Sequence, residues 1–135
     1  MDAEKPAGRP VKIKTGIDIS DCARFTGLLL KAGFTNRVYT EKELSYINSK
    51  AKGKAQTAAG IWSAKEALLK AFGQGIFAVR LKDVEVERDN TGKPFFLLHG
   101  NLSERFSGMN IELSISHCRE YAVASVIVYK EGNGL

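Results

Sequence analysis

The chain has 135 residues and a formal charge of +5, so it suits one domain around one core and favours anionic partners: nucleic acid, phosphorylated small molecules or acidic proteins. Its hydrophobic and charged fractions, 44% and 26%, are those of a soluble globular protein, and no apolar run approaches the roughly 20 residues that span a bilayer. The opening MDAEKPAGRP has no apolar segment and is not a secretory signal, and the two cysteines, Cys22 and Cys118, form neither a metal-ligand spacing nor a disulfide framework, which points to the reducing cytoplasm.

Pro6, Gly8 and Pro10 mark residues 1–10 as a loose tail before a domain over 11–135. Val11 to Ile19 alternates as a strand, with Val11, Ile13, Ile17 and Ile19 on one face and Lys12, Lys14, Gly16 and Asp18 on the other. Asp21 opens a helix through Phe25, Leu28 and Leu29 to about Ala32, with Gly33 as its stop. Thr40 and Glu43 make a capping-box pattern that starts a helix through Leu44 and Ile47. The longest helix runs from about Lys54 to Phe72, on the stripe Ala55, Ala58, Trp62, Lys65, Leu69 and Phe72, and Gly73 ends it.

Val84 to Arg88 and Phe95 to Leu98 read as strands joined by the turn cluster Asp89-Asn90-Thr91-Gly92. Asn101 caps a short helix to about Phe106. Leu113 to Ser116 and Tyr121 to Tyr129 read as a hairpin around Cys118-Arg119-Glu120. The last strand is apolar on both faces and should lie centrally in its sheet. The predicted class is α+β: an antiparallel sheet packed against one long helix and shorter helices.

Three constellations carry chemistry. Asp18 sits between Ile17 and Ile19 and points away from their face. Trp62, Glu66 and Lys70 are four residues apart and form one stripe of the long helix. The run SISH, Ser114 to His117, ends a strand at a tight turn, with Ser114 and Ser116 projecting to one side and His117 at the strand's mouth. Each has a plainer reading: a strand-end carboxylate, an i,i+4 pair adding about 0.3–0.5 kcal/mol, and a capping histidine. Taken together, Asp18 and Glu66 suit a hard divalent cation, because magnesium takes one or two protein carboxylates plus substrate phosphate oxygens. Lys70, one turn beyond Glu66, would face the same phosphates. No P-loop, zinc signature or nucleophile elbow is present.

Four blocks in chain order resemble a known family. They are GIDISDCARF at Gly16 to Phe25, WSAKEALLKAFGQGI at Trp62 to Ile76, DNTGKPFF at Asp89 to Phe96 and SISHCREYAVASVIV at Ser114 to Val128. The second is similar to the family's WxxKEAxxKAxGxGI pattern. The family is the phosphopantetheinyl transferases, and the short length resembles their holo-[acyl-carrier-protein] synthase type. The resemblance implies transfer of 4'-phosphopantetheine from coenzyme A to a serine of an apo acyl carrier protein, in fatty acid biosynthesis. It implies a magnesium site at Asp18 and Glu66, and catalytic roles for Glu66 and Lys70. It implies coenzyme A contacts at Lys70, Gly73, Pro94, Ser116 and His117, and carrier-protein docking through Arg24, Lys31 and Arg37. It further implies a homotrimer with active sites at subunit interfaces.

Two departures stand out. Ile61 occupies a position where many members of this type have arginine, so that contact is lost or passes to Lys52 or Lys54; Trp62 stands where many short members have phenylalanine. Two rival classes remain, a nucleic-acid-binding module and a magnesium-dependent phosphohydrolase. The first lacks any binding motif, and its basic residues are dispersed; no nucleic acid or membrane partner is expected.

Overall fold

The computed structural model describes residues 12–73 and 79–130. The predicted tail over 1–10, Val11, and Gly75 and Ile76 of the second block lie outside the described residues. The elements follow in the order β1 (Ile13–Asp21), α1 (Ala23–Leu28), α2 (Ala32–Val38), α3 (Glu41–Asn48), α4 (Lys54–Phe72), a 3-10 turn at Leu81–Asp83, β2 (Val84–Arg88), β3 (Pro94–Leu98), α5 (Asn101–Arg105), β4 (Asn110–His117) and β5 (Tyr121–Tyr129). One antiparallel sheet has the order β1-β5-β4, and β2 and β3 pair as a separate antiparallel ribbon. The fold is therefore α+β, with the doubly apolar β5 in the centre of its sheet as its composition required.

The long helix organises the molecule. Gly53 and Gly73, both with positive φ, bound α4. Its buried residues run almost all round the axis and include Ala58, Ala59, Ala64, Ala67 and Ala71. Those small side chains let it approach the sheet closely. At Gly16 the approach is backbone against backbone: a Cβ there would lie 1.8 Å from the Ala67 carbonyl oxygen and 2.9 Å from the Ala71 nitrogen.

That contact overturns one expectation. The sequence pattern assigns the isoleucine face of β1 to the core, yet Ile13, Ile17 and Ile19 are 59%, 64% and 65% exposed. The face carrying Gly16, Asp18 and Ser20 meets α4 instead. Only glycine and small polar side chains leave room for the helix backbone, so steric fit decides the face.

The helix predicted from Asp21 to Ala32 is two helices. Asp21 does accept a hydrogen bond from the Ala23 N–H at 3.0 Å. After Leu28, however, Leu30 and Lys31 donate to carbonyls three residues back, Gly27 and Leu28, which tightens the chain into a turn. Gly33 lies inside α2 rather than stopping a helix. Gly100, not Asn101, holds the cap position of α5. The capping box of α3 is present: Thr40 Oγ1 accepts from the Glu43 N–H at 3.2 Å, and Glu43 Oε1 accepts from the Thr40 N–H at 2.9 Å.

Candidate active site

Asp18 is brought to α4 by the strand face just described. Its Oδ1 lies 3.2 Å from Lys70 Nζ, and that ammonium also donates to the Ile17 carbonyl at 3.0 Å. Ser20 Oγ donates to Asp18 Oδ2 at 3.4 Å and pairs with Ser63 Oγ at 2.6 Å, stitching β1 to α4 beside the carboxylates. Glu66 is half-buried, and its Oε1 is a buried atom without a hydrogen-bond partner. Burial raises the proton affinity of Glu66; the Asp18 charge adds to this and Lys70 opposes it. The structure thus brings Asp18, Glu66 and Lys70 together. Trp62, on the same stripe, packs its ring against Phe25 and Phe34 at 6.3 and 5.7 Å.

An unpartnered buried carboxylate oxygen is costly unless something binds it. Asp18 and Glu66 supply two hard oxygen donors side by side, while Lys70 offers a cation for phosphate. Among the described residues no group of three or more His, Cys, Asp or Glu comes together. The donor set fits magnesium, which keeps waters and substrate oxygens in its shell, and not a closed protein cage.

His117 lies elsewhere. Asp18 pairs with Ala124, and Ala124 with Ile115; likewise Ser20 and His117 flank Ala122. Asp18 and His117 therefore occupy opposite edges of the β1-β5-β4 sheet. The helix α4 lies across the same face, touching β1 through Ser63 and Ser20 and reaching β4 where Gly60 meets Ile115. On the β4 edge, His117 lines a cavity of about 280 Å³ with Tyr46, Lys50, Lys52, Arg88 and Ile115. The Tyr46 ring sits beneath two cations, Lys50 Nζ at 4.4 Å and Arg88 Cζ at 5.0 Å from its centroid. Sequence reasoning missed Tyr46, Lys50 and Arg88. The only local signal was the basic pair Lys50 and Lys52 just before Gly53.

The remaining predicted residues are placed as follows. Ser114 and Ser116 alternate with Ile115 and His117 and are exposed on the outer sheet face, with Ile17 and Ile19. The expected pocket of Ser114, Ser116 and His117 is therefore not formed within one chain, because a strand sends neighbours to opposite faces. Gly73 closes α4 three residues beyond Lys70, and Pro94 opens β3, half-buried. Ile61 is 1% exposed and belongs to the core; Lys52 lines the cavity and Lys54 is the exposed first residue of α4. Arg24, Lys31 and Arg37 are all exposed, but Arg24 lies on α1 and Lys31 caps α2, so no single helix face joins them.

Comparison with known proteins gives the context of these residues. The family model described as the 4'-phosphopantetheinyl transferase superfamily matches residues 14–126. A holo-[acyl-carrier-protein] synthase of Gloeobacter violaceus is 42% identical over 127 residues, which is 90% of this chain and 96% of that protein. One from Fusobacterium nucleatum is 39% identical, over 86% of this chain and 98% of that protein. Among solved structures, a holo-(acyl-carrier-protein) synthase from Bacillus anthracis in complex with CoA (3',5'-ADP) aligns with a TM-score of 0.76 at 33% identity, covering 90% of this chain and all of the other. The Helicobacter pylori enzyme in complex with coenzyme A aligns at 0.74 with 27% identity, over 84% of this chain and 98% of that one. The four sequence blocks, the α+β architecture and these matches over most of the chain agree: it belongs to the 4'-phosphopantetheinyl transferase superfamily.

Proposed function

We propose that this chain transfers the 4'-phosphopantetheine group of coenzyme A to a serine of an apo acyl carrier protein, with magnesium. The observation that carries the reading is the unpartnered Glu66 oxygen beside Asp18 and Lys70, in a chain whose relatives are named holo-[acyl-carrier-protein] synthases. The serine oxygen attacks the phosphorus that bears the pantetheine arm, the bond to the bridging oxygen breaks, and adenosine 3',5'-bisphosphate leaves. Asp18 and Glu66 would hold the magnesium ion, whose chemistry is to offset the pyrophosphate charge. Lys70, anchored to the Ile17 carbonyl and Asp18, keeps an ammonium at the phosphates. Glu66, whose proton affinity burial has raised, is the candidate to accept the serine proton. The cavity with Lys50, Lys52, Arg88 and His117 supplies cations for the anionic nucleotide end of coenzyme A, and Gly73, Pro94 and Ser116 complete the proposed contacts.

The same reading includes a homotrimer. The carboxylate half and the cationic half lie on opposite edges of one sheet, so the β1 edge of one chain meeting the β4 edge of the next would complete a site. A head-to-tail contact of that kind closes into a ring when its rotation is a whole fraction of a turn. The exposed Ile13, Ile17, Ile19, Tyr121 and Ile127 share the outer face of the same sheet, so an association that also covers this face has apolar surface to bury. The number three comes from the family resemblance. Arg24, Lys31 and Arg37 form the proposed docking surface for an acidic carrier protein. No helix among the described residues is long and apolar enough to cross a membrane, and the proposed setting is the cytoplasm, in fatty acid biosynthesis.

The test is the intact mass of an apo acyl carrier protein after incubation with coenzyme A and magnesium. The expected result is a gain of one phosphopantetheine, abolished by chelation. Hydrolysed coenzyme A beside an unmodified carrier protein would overturn the reading in favour of a phosphohydrolase.

A further inference from the structure

The most deeply buried charges in the described residues lie outside the site. Lys65 and Glu43 are both fully buried, with Nζ and Oε1 2.7 Å apart. An ammonium has three donors, and Lys65 uses all three: on Glu43 Oε1, on the Val38 carbonyl that ends α2, and on the Leu81 carbonyl at 2.9 Å. The Glu43 carboxylate is equally occupied. Its Oε1 also accepts from the Thr40 N–H, and its Oε2 accepts from the Val86 N–H at 2.7 Å. Five segments thus meet at one ion pair: the end of α2, α3, α4, the turn at Leu81 and β2.

Such a pair is weak evidence for stability, since taking both charges out of water costs most of what their attraction returns. Its placement on α4 suggests a different use. The residues of α4 that meet the sheet include Gly60, Ser63, Ala67 and Ala71. On this side the polar restraints on helix rotation are the Ser63–Ser20 hydrogen bond and the contacts of the exposed Lys70 with Ile17 and Asp18, and the Lys65 contacts restrain the opposite side from within the core. A roll of about 20° would carry a glutamate carboxylate, roughly 6 Å from the axis, by about 2 Å. Lys65 immediately precedes Glu66, and its side chain leaves the helix about 100° away from that of Glu66. Whatever fixes Lys65 therefore fixes the direction of Glu66.

We propose that the Lys65–Glu43 pair is a positioning device that locks the rotational phase of α4 and so aims Glu66 at Asp18. Both residues act through Glu66 and touch no substrate. The inference rests on the transfer reaction proposed above, and the wild-type arm of its test keeps the two apart.

The experiment compares wild type with Lys65→Met/Glu43→Gln. The double change removes both charges at similar volume, but it leaves the Val38 and Leu81 carbonyls without the Lys65 donor and sets the amide N–H2 against one of the backbone N–H groups that Glu43 now accepts from. Lys65→Met alone strands a buried carboxylate and is expected to unfold. Thermal melting, coenzyme A KM, kcat for carrier-protein modification, and Trp62 emission, which comes from the only tryptophan in the chain, are measured together. The expected double variant still folds cooperatively but melts below wild type, holds coenzyme A KM within about threefold, loses at least tenfold in kcat because an ångström of misplacement already costs about a hundredfold, and shifts its Trp62 emission. Where the neutral pair fails to fold, Lys65→Arg is used: it keeps the charge, but its planar fork cannot reproduce a three-way ammonium contact, and the same split between kcat and KM is expected. A folded variant with wild-type kcat would overturn the proposal, leaving the pair purely structural. A wild-type enzyme that modifies no carrier protein would instead overturn the proposed function.

Discussion

Replacing Gly16 with alanine tests the steric argument on which the whole site depends. The added Cβ would sit 1.8 Å from the Ala67 oxygen, 2.8 Å from the Ala67 carbonyl carbon and 2.9 Å from the Ala71 nitrogen. All three are backbone atoms of α4, so no side chain can swing aside. Ordinary contact begins near 3.4 Å, so strand and helix must part by about 1.6 Å. Overpacking a core typically costs 1–3 kcal/mol, and three simultaneous backbone clashes place this case at about 3–4 kcal/mol. Against a total stability of about 7–20 kcal/mol for a chain of this length, the variant should fold but melt roughly 10–15 °C lower. Asp18 lies two residues further along the same strand and would move with it. A shift above 1 Å between Asp18 and Glu66 should reduce turnover about a hundredfold. Gly27→Ala is the control: nothing lies within 4 Å of its added Cβ, and at the second-last position of α1 it should not destabilise, with a gain below the roughly 1 kcal/mol of a helix interior. Scanning fluorimetry and carrier-protein modification read both variants. A Gly16→Ala enzyme that melts within about 2 °C of wild type and turns over normally would refute the close-approach argument.

Asp18→Ala should abolish transfer while leaving a cooperative melt, and turnover near wild type in this variant would remove the proposed metal site. Glu66→Gln should be inactive yet more stable than wild type at neutral pH. Burial and Asp18 raise the Glu66 carboxyl above its ordinary 4.5, so the fold favours the protonated form; stability starts to fall as the pH rises through the ordinary value, and the loss is complete above the folded-state value. The glutamine removes that cost, which is about 1 kcal/mol or less for a partly solvated group. Its advantage should vanish below the ordinary carboxylate range, and denaturant titrations at pH 7 and pH 4 would show the difference. Ile17→Lys, on the exposed face of β1, should yield monomers by light scattering and lose transfer; an active monomer would refute the shared site. Arg24→Glu should raise the carrier-protein KM more than the coenzyme A KM, with a penalty that shrinks as salt rises, and the reverse pattern would move Arg24 into the nucleotide pocket.

The elements with strong local signals were legible in the sequence. The bounds of α4, β2 and β5 agree with the reading from periodicity and glycine stops, and so does the capping box at Thr40 and Glu43. What the pattern could not supply was the choice between faces. Alternation in β1 separates isoleucines from Gly16, Asp18 and Ser20, but it does not say which set meets the helix. The answer depends on backbone clearance at Ala67, a tertiary fact. The break at Leu29–Lys31 was hidden for a related reason. Three consecutive leucines continue a helical pattern, and only the i+3 hydrogen bonds reveal the turn. The carboxylate half of the site was legible because Glu66 and Lys70 share one helix stripe. The cationic half was not, since Tyr46 and Lys50 around the end of α3, Arg88 of β2 and His117 of β4 come from three separate segments. The role of Lys65 also escaped, because a lysine on an apolar stripe reads as an interruption until its three acceptors are seen.

The placement of Asp18 and His117 on opposite edges of one sheet has a genetic consequence. On the proposed ring, every site borrows one half from each of two neighbours, so a defect in one half can be masked by a neighbour that is defective only in the other. Take Asp18→Ala chains, with an intact cationic pocket, and His117→Ala chains, with intact carboxylates. Each pure population would be inactive. Dissociated and reassembled one to one, random mixing would place an intact carboxylate half against an intact pocket at about a quarter of the interfaces. Activity would appear in the mixture where neither parent had any, and two silent alleles in one cell would complement each other.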